Sequence, residues 1–405
     1  MDNILNELFA IQNKVALLIP TKFKRYLEID WNKRLIVITG ARGTGKTTMV
    51  LQYYLEKFKS TSECLYFSVD NPLVAKSGIY EIGKEFFTLY GDTIIIDEVH
   101  KQNNWSFHVK ALYDSFPDKK IIILGSSKLN IINQKGDLSR RALIYNLKGL
   151  SFREFIELKY NVKMDSYSLD KILKDHINIS SSILRNIPEI KKYFFEYKQY
   201  GFYPFFNEYS EAEYQQVLQS VVDKIIYEDI PSLKNIKGSS SFVFKKLIAY
   251  LAMSKIPTIV VSNICNELDI NKETLYDYLD LLDRADIINI IRRENATVRS
   301  LQYSKIMLAN PNLYYSISNV MWKHNTDLGN IRESFFVSQL GKDILASKVV
   351  DYLISVGNTE IEVEIGGKNK TRKQIQALEN AYVFKDDIQI GYDNIIPLFL
   401  IGFLY

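Results

Sequence analysis

Short apolar runs alternate with longer polar and amphipathic stretches over the first 150 residues of this 405-residue chain. The runs are rich in β-branched and other apolar residues, which is typical of strands buried on both faces of a parallel sheet. Helical spacing of apolar positions predicts helices at residues 1–20, 46–58 and 104–116. The alternation predicts an α/β fold with helices on both faces of a parallel sheet. The predicted strands are residues 35–38, 64–69, 93–96, 121–124 and 142–147.

The first strand leads directly into residues 40–47, which follow the pattern GxxxxGK[ST]. Its glycines allow the backbone to fold with its N–H groups pointing inward at phosphate oxygens. Lys46 is then placed to reach the β- and γ-phosphates of ATP, and the Thr47 hydroxyl can ligate Mg²⁺. The following helix directs its positive dipole end at the same anion. The predicted nucleotide-binding residues are Gly40, Ala41, Arg42, Gly43, Thr44, Gly45, Lys46, Thr47 and Thr48.

Two carboxylates, Asp97 and Glu98, end the predicted strand at residues 93–96. Parallel strands place their carboxyl ends at one edge of a sheet, so these acids are expected beside the glycine-rich segment. Asp97 is predicted to hold Mg²⁺ through water, as a Walker B aspartate does. Glu98 is predicted to orient and polarise the attacking water. Together the two segments predict a nucleoside triphosphate hydrolase rather than a passive nucleotide binder.

Polar residues also follow the fourth strand. Ser126, or else Ser127, is expected to contact the γ-phosphate or the attacking water; the alternative is that Gly125, Ser126 and Ser127 form a simple turn. Arg141 precedes the fifth strand, where an arginine can contribute charge to the transition state of a neighbouring subunit. A solvated pair formed by Arg140 and Arg141 is the alternative. The predicted catalytic residues are therefore Lys46, Glu98, Ser126 and Arg141.

The sequence beyond residue 150 predicts three further regions. Residues 151–233 are helical and aromatic, begin with a Ser-x-x-Glu capping box, and are interpreted as a lid over the nucleotide. Residues 234–300 begin with a polar linker and are interpreted as a winged-helix-like module. Its third helix, at residues 272–283, carries one lysine against four acids. Acids facing phosphates oppose DNA binding, so a structural or protein-contact role is favoured there.

Residues 301–405 predict a small α/β domain. Glu333 lies on a helix predicted at residues 332–340, and Asp351 and Glu364 lie on two strands joined by a turn. Residues 366–374 are expected to lead into a further helix. That order matches the metal-binding acids of PD-(D/E)XK nucleases, so these three are candidate Mg²⁺ ligands besides Thr47 and Asp97. The lysine expected two residues after the last acid is replaced by Gly366. Either Lys368 or Lys370 supplies it, or the basic residues 368–373 form a surface patch; the patch is favoured.

Composition adds few constraints. The net charge of +4 neither requires nor excludes nucleic acid as a partner. Cys64 and Cys265 lack metal-ligand spacing and are interpreted as buried reduced thiols, which fits a cytoplasmic protein. No apolar run reaches the roughly 18 residues that a membrane-spanning helix needs. No membrane partner is therefore expected.

Taken together, these motifs resemble the bacterial and archaeal AAA+-like ATPases whose C-terminal region is a domain of unknown function with a PD-(D/E)XK-like fold. The resemblance is carried by residues 40–47, 96–101, 125–127, 141 and 150–154, and further on by residues 201–204, 310, 332–336, 350–352, 364–370 and 397–402. It implies an ATPase that uses ATP and Mg²⁺ and forms a homo-oligomer. The expected domains are a P-loop ATPase domain at 1–150, a helical lid at 151–233, a winged-helix-like module at 234–300 and a nuclease-like domain at 301–405.

The leading functional hypothesis is a nucleotide-driven motor or switch whose C-terminal half engages a partner, with DNA as the expected one. The first alternative is an ATP-regulated nuclease, which requires Asp351, Glu364 and Lys368 to converge on one metal. The second is a signalling or scaffolding ATPase with a degenerate nuclease fold that binds protein.

Overall fold

The computed structural model describes residues 2–125, 138, 140–231, 239–256, 260–294, 301, 304–321 and 326–405. These residues form two compact units, Met1–Gly149 and Leu150–Tyr405, which we call unit 1 and unit 2. Ser126 lies outside the described residues. The boundaries predicted at residues 233 and 300 fall inside unit 2 and stay predictions.

Unit 1 contains a five-stranded parallel sheet in the order β2-β3-β4-β1-β5. All five residues of β1 and of β3 are buried, as expected for continuous apolar strands covered on both faces. Because β1 and β3 both run parallel to β4, which lies between them, the two strands end at the same edge of the sheet. The strands are β1 (Leu35–Thr39), β2 (Cys64–Ser68), β3 (Thr93–Asp97), β4 (Lys120–Gly125) and β5 (Leu143–Asn146).

Helices cover both faces of this sheet and bury a separate apolar core against each. The N-terminal helix packs on the sheet as its apolar spacing predicts, and Gln12 fixes it there. The Gln12 amide donates to the Cys64 carbonyl at 2.9 Å and accepts from the Tyr66 N–H at 2.9 Å. The helices are α1 (Asp2–Leu17), α2 (Lys46–Lys57), α3 (Pro72–Ser77), α4 (Ile79–Leu89) and α5 (Trp105–Ser115), with a 3-10 turn at Val99–Lys101.

Unit 2 begins with helices that pack around an aromatic core. Its first helix has the predicted capping box, in which the Ser151 and Glu154 side chains each bond the other residue's backbone N–H. Phe152 and Tyr197 meet at a ring-centroid distance of 5.5 Å, and Phe335 lies 5.7 Å from Tyr197. The helices are α6 (Phe152–Tyr160), α7 (Leu169–Asn186), α8 (Ile190–Tyr200), α9 (Glu211–Lys224), α10 (Ser239–Met253), α11 (Val261–Leu268), α12 (Lys272–Arg284), α13 (Pro311–Tyr314) and α14 (Leu328–Leu340).

Two sheets complete unit 2. The smaller one pairs β6 (Ile288–Ile291) with β7 (Lys305–Leu308) in antiparallel fashion. The larger one has the order β12-β11-β10-β9-β8; its first three strands in sequence pair antiparallel, and β11 and β12 continue parallel to β10. Its strands are β8 (Leu345–Ala346), β9 (Tyr352–Val356), β10 (Thr359–Gly366), β11 (Ala381–Lys385) and β12 (Ile395–Pro397). The chain is thus of the α/β class, as the sequence predicts.

One predicted element is wrong. The segment after Gly366 was expected to lead into a helix, but the described chain there forms only a 3-10 turn at Arg372–Gln374 before β11. Two glycines begin the segment, and Ile375 is its one fully buried apolar side chain before β11. The segment therefore lacks the apolar stripe that would hold a helix against the sheet.

The helix at residues 332–340 begins earlier than its sequence indicates. The Asp327 carboxylate caps α14 by accepting from the N–H groups of Gly329 and Asn330. Those two residues have poor helix propensity, which hides the first turn in the sequence. Within the described residues, none of the helices combines the length and apolarity needed to cross a membrane.

Candidate active site

The glycine-rich segment of unit 1 is folded as a tight loop between β1 and α2. A Cβ atom on Gly40 would lie 2.2 Å from the Leu147 carbonyl oxygen, so only glycine fits there. Gly45 has a φ of 87° and forms the N-cap of α2, a left-handed conformation that glycine adopts without strain. These two constraints direct the first turn of α2 at the space above the loop, where an anion would meet its free N–H groups.

Lys46 closes the loop from within. Its side chain is 8% exposed, and Nζ donates to the carbonyls of Gly40 and Ala41 at 2.9 Å each. Arg25 supports the loop from outside by donating to the Thr44 carbonyl at 2.6 Å and to the Lys148 carbonyl at 2.9 Å. The ammonium is thus kept among the backbone atoms that would surround the phosphates.

Asp97 is the point where the loop and β3 meet. Its Oδ2 accepts from the Thr47 hydroxyl at 2.6 Å and from the Tyr66 hydroxyl at 3.1 Å, and its Oδ1 accepts from the Glu98 N–H at 2.8 Å. Tyr66 is on β2, so three segments fix the orientation of one carboxylate. Burial and the adjacent Asp97 carboxylate raise the pKa of Tyr66, which keeps the hydroxyl protonated as a donor.

The donors at this point suit Mg²⁺. A hydroxyl and a carboxylate oxygen are ligands that Mg²⁺ accepts, and this ion keeps waters and phosphate oxygens in its remaining positions. Thr47 and Asp97, already in contact, are therefore the residues that would hold it. In the parts of the chain that the structure describes, no group of three or more His, Cys, Asp or Glu side chains is arranged to hold a metal ion.

Glu98 has a strained backbone and a charged surrounding. Its φ of 49° and ψ of 38° are left-handed, a conformation that costs a non-glycine residue about 1 kcal/mol and recurs at functional sites. Arg42 of the loop lies 3.9 Å from one carboxylate oxygen, and His100 Nδ1 lies 3.4 Å from the other. Burial raises the pKa of Glu98 and the Asp97 charge raises it further, whereas Arg42 and Lys46 oppose the rise.

Arg141 lies at the opposite edge of the sheet, where the parallel strands begin. Its guanidinium pairs with the Asp114 carboxylate at 3.2 Å and approaches the Tyr113 ring centroid at 5.9 Å. The same ring packs on Arg34 at 3.9 Å, and Arg34 immediately precedes β1. A strand of this length spans roughly 16 Å, so Arg141 is far from the glycine-rich loop of its own chain. Its assignment to a neighbouring subunit stays a prediction.

The structure also identifies residues that sequence reasoning missed. Tyr66 and Arg25 contact the predicted site, but no motif marks them. His100 lies within the motif at residues 96–101, although the sequence analysis assigns it no role. Tyr66 carries the one available signal, since it belongs to the strand next to β3 and is polar within an apolar run. Of the predicted residues, Thr48 lies half-buried in the first turn of α2, and Ser126 is outside the described residues.

Two of the three acids predicted in the last region, Glu333 and Asp351, share a lysine that was not predicted. Lys305 Nζ donates to Glu333 Oε2 and to Asp351 Oδ1, at 2.7 Å each. Glu364, on β10 beside Asp351, forms an ion pair with Lys370. Lys368, the other lysine proposed for this place, is exposed.

Comparison with known proteins agrees with this geometry for unit 1. Residues 32–156 match the family model described as the AAA domain. This match covers all five strands and the glycine-rich loop of unit 1. Residues 191–324 match a domain of unknown function (DUF8612). The first of these two matches supports an AAA+-like ATPase.

Two similar proteins come from Methanocaldococcus jannaschii. Uncharacterized protein MJ1637 is 29% identical over 288 residues, covering 67% of this chain and 59% of that protein. Uncharacterized protein MJ1544 is 24% identical over 368 residues, covering 88% of this chain and 75% of that protein. The chain thus spans less than two thirds of the length of MJ1637.

Solved structures show a distant likeness. The Walker-type ATPase paby2304 of Pyrococcus abyssi aligns with a TM-score of 0.41 and 12% identity, covering 71% of this chain and 91% of that chain. The Aeropyrum pernix Orc1 protein in complex with DNA aligns with a TM-score of 0.32 and 9% identity, covering 78% and 92%. The fold of unit 1 is defined by its own strand order, β2-β3-β4-β1-β5.

The contact between Tyr66 and Asp97 generates a prediction. Tyr66→Phe removes one donor to the carboxylate expected to face Mg²⁺, and loss of such a supporting contact weakens metal affinity by roughly 10-fold or more. We expect the Mg²⁺ concentration for half-maximal ATP hydrolysis to rise by about that factor, with ATP affinity little changed. Tyr54→Phe, which removes a buried hydroxyl that does not contact Asp97, is the control. An unchanged Mg²⁺ requirement in Tyr66→Phe would contradict this role.

Proposed function

We propose that this protein is an AAA+-like ATPase that hydrolyses ATP with Mg²⁺ and acts as a nucleotide-driven motor or switch. The observation that carries the proposal is the 2.6 Å hydrogen bond from Thr47 to Asp97, with Lys46 and Glu98 on either side of it. These four side chains supply a phosphate-binding cation, two oxygen ligands for a metal and a carboxylate base. A passive nucleotide binder needs no base at this place.

Each residue of the AAA domain has a distinct role in this proposal. The loop N–H groups and Lys46 bind the β- and γ-phosphates, and Lys46 exchanges its bonds to the Gly40 and Ala41 carbonyls for bonds to phosphate oxygens. Glu98 accepts a proton from the water that attacks the γ-phosphorus. The bond between the γ-phosphorus and the oxygen that bridges it to the β-phosphate breaks, and ADP leaves with that oxygen. Mg²⁺ held by Thr47 and Asp97 neutralises negative charge on the phosphates when it is bound.

The assignment of Lys46 and Glu98 is tested by two substitutions. Lys46→Ala should lose ATP binding, because the cation that faces the phosphates is removed. Glu98→Gln should bind ATP normally but hydrolyse it about 10²-fold more slowly, the usual scale for losing a general base. Binding of a fluorescent ATP analogue and steady-state phosphate release measure the two effects separately.

Lys57→Ala and Glu56→Gln, two exposed changes at the end of α2, are the matched controls. Turnover near the wild-type rate in Glu98→Gln would overturn the role of Glu98. Normal ATP affinity in Lys46→Ala would overturn the assignment of the loop.

We further propose that Arg141 acts in the site of a neighbouring subunit. The support is its position at the sheet edge remote from its own loop, together with its pairing to Asp114 on the surface of α5. A guanidinium placed there has no phosphate of its own chain within reach. The proposal requires a homo-oligomer.

Arg141→Ala should leave ATP affinity intact and slow hydrolysis by about 10³-fold, the scale measured for arginines that complete a site in trans. Mixing Arg141→Ala with Lys46→Ala should partly restore phosphate release, because each chain supplies what the other lacks. Arg140→Ala is the control, since the neighbouring arginine is exposed. Absence of rescue at every mixing ratio, or a chain that stays monomeric with ATP and Mg²⁺, would contradict the in-trans role.

We propose that unit 2 engages a macromolecular partner, and that its contact with DNA is made through phosphates rather than base edges. Helices α10, α11 and α12 with strands β6 and β7 support a winged-helix-like module, but Glu273, Asp277 and Asp280 are exposed on one face of α12. Those acids would oppose entry into the major groove. Lys368 and Lys373, exposed in the segment after β10, are placed to contact phosphates. The roles of residues 151–233 as a lid and 301–405 as a nuclease-like domain are likewise proposals.

The partner is tested by measuring ATP hydrolysis with single-stranded, duplex and branched DNA, while the same reactions are checked for cleavage. We expect DNA to stimulate hydrolysis, and the combined Lys368→Ala and Lys373→Ala change to weaken that stimulation several-fold with a shallower salt dependence. Lys191→Ala with Lys192→Ala removes two exposed lysines of α8 and is the control. Hydrolysis that is indifferent to all three DNA forms would favour a protein partner instead.

A further inference from the structure

We call Glu333, Asp351 and Glu364 the acidic cluster of unit 2. A buried lysine, Lys305, lies between the first two of these carboxylates. Lys305 is on β7, and its side chain is 5% exposed. Its ammonium lies 2.7 Å from an oxygen of Glu333 and 2.7 Å from an oxygen of Asp351, and 4.4 Å from the centroid of the Tyr352 ring. Its sequence position predicts none of this, because it lies about 30 residues before the first acid and on a different sheet.

The carboxylate oxygens nearest to Lys305 already have partners. Glu333 Oε2 also accepts from the Tyr352 hydroxyl at 2.7 Å, and Asp351 Oδ2 accepts from the Ile365 N–H at 2.8 Å. Glu364 is paired with Lys370. A Mg²⁺ ion needs about six oxygen ligands at roughly 2.1 Å, and these oxygens are engaged with donors instead.

The charges also disfavour a dication. Three carboxylates and two ammonium groups leave a net charge of one negative unit in the cluster. A metal ion would have to displace the Lys305 ammonium from Glu333 and Asp351, or remain next to it and be repelled. Since Lys305 is buried, its displacement would leave a desolvated charge without a partner.

We propose that Lys305 is the resident cation of this cluster and that it takes the place of the divalent metal that a PD-(D/E)XK-like fold would hold. Unit 2 then binds no divalent metal through Glu333, Asp351 and Glu364, and the cluster fixes β7, α14 and the start of β9 to one another. This inference goes beyond the ATPase proposal and does not depend on it. It removes metal-dependent cleavage from the chemistry available to these acids.

The test is a gain of metal binding. All variants carry Asp97→Asn, so that the AAA domain does not contribute a metal site, and Mn²⁺ is the probe. The full-length Asp97→Asn protein should show no specific Mn²⁺ binding by electron paramagnetic resonance, and its thermal unfolding midpoint should be the same in Mn²⁺ and in EDTA. Adding Lys305→Ala should lower the midpoint in EDTA and leave three carboxylates without their central cation.

Mn²⁺ should then raise the midpoint of the Lys305→Ala variant by about 5 °C or more at 100-fold excess over its dissociation constant. Adding Asp351→Asn should abolish that gain. Lys198→Ala is the matched control, because Lys198 is a buried lysine that, among the described residues, forms an ion pair with the Asp386 carboxylate alone, at 2.7 Å. It should be destabilised without any response to Mn²⁺.

Lys305→Gln, which is one atom shorter but keeps an N–H donor group without the charge, serves in case the alanine variant does not fold. Two results would overturn the proposal. One is Mn²⁺ binding by the Asp97→Asn protein that Asp351→Asn removes, which would show that the metal enters despite Lys305. The other is a folded Lys305→Ala or Lys305→Gln variant with no Mn²⁺ response, which would show that the acids do not define a cation site.

Discussion

The candidate active site depends on one hydrogen bond between two segments that are not neighbours in the sheet. Thr47 follows β1 and Asp97 ends β3, and β4 separates the two strands. Strands two positions apart lie roughly 10 Å from each other, so a strand-end side chain alone would not bridge them. Thr47 lies in the first turn of α2, and its hydroxyl closes that gap by donating to Asp97. The loop, the strand order and Asp97 therefore depend on one another. A change in any of them would move the candidate phosphate site away from the carboxylates.

The elements of unit 1 were accessible to sequence reasoning because each is defined by local patterns. Continuous apolar runs give the strands, and the glycines and Lys46 give the loop. The supporting contacts were not accessible, since Tyr66 and Arg25 act through strand order and through backbone carbonyls that no spacing reveals. The sequence identifies the residues that do chemistry more readily than the residues that orient them.

Unit 2 shows where such reasoning fails. Glu333, Asp351 and Glu364 were predicted as Mg²⁺ ligands from their order, but the positive charge beside Glu333 and Asp351 is a lysine of β7, a strand of another sheet. Similarly, the expected helix after Gly366 is absent because two glycines and a scarcity of apolar positions leave nothing to hold it. The order of acids in a motif suggests that they lie near one another, but the residue that neutralises their charge can be identified only from the fold.

The two buried lysines illustrate different uses of the same side chain. Lys46 is held by neutral carbonyls, so it can exchange those bonds for an anionic ligand at small cost. Lys305 is held by two carboxylates, and breaking those contacts would leave buried charges uncompensated. The charge of the groups that accept hydrogen bonds from a buried lysine thus determines whether that lysine is available to a ligand or fixed within the fold.

The left-handed backbone of Glu98 has a consequence for the evolution and engineering of this chain. A residue type chosen for stability alone at φ 49° would be glycine or asparagine, which adopt this conformation more readily. Under the role proposed for Glu98, glutamate at this position lowers the stability of the fold and supplies the carboxylate that the reaction uses. Selection of thermostable variants without an activity screen would be drawn to this position, and would enrich well-folded proteins that have lost turnover.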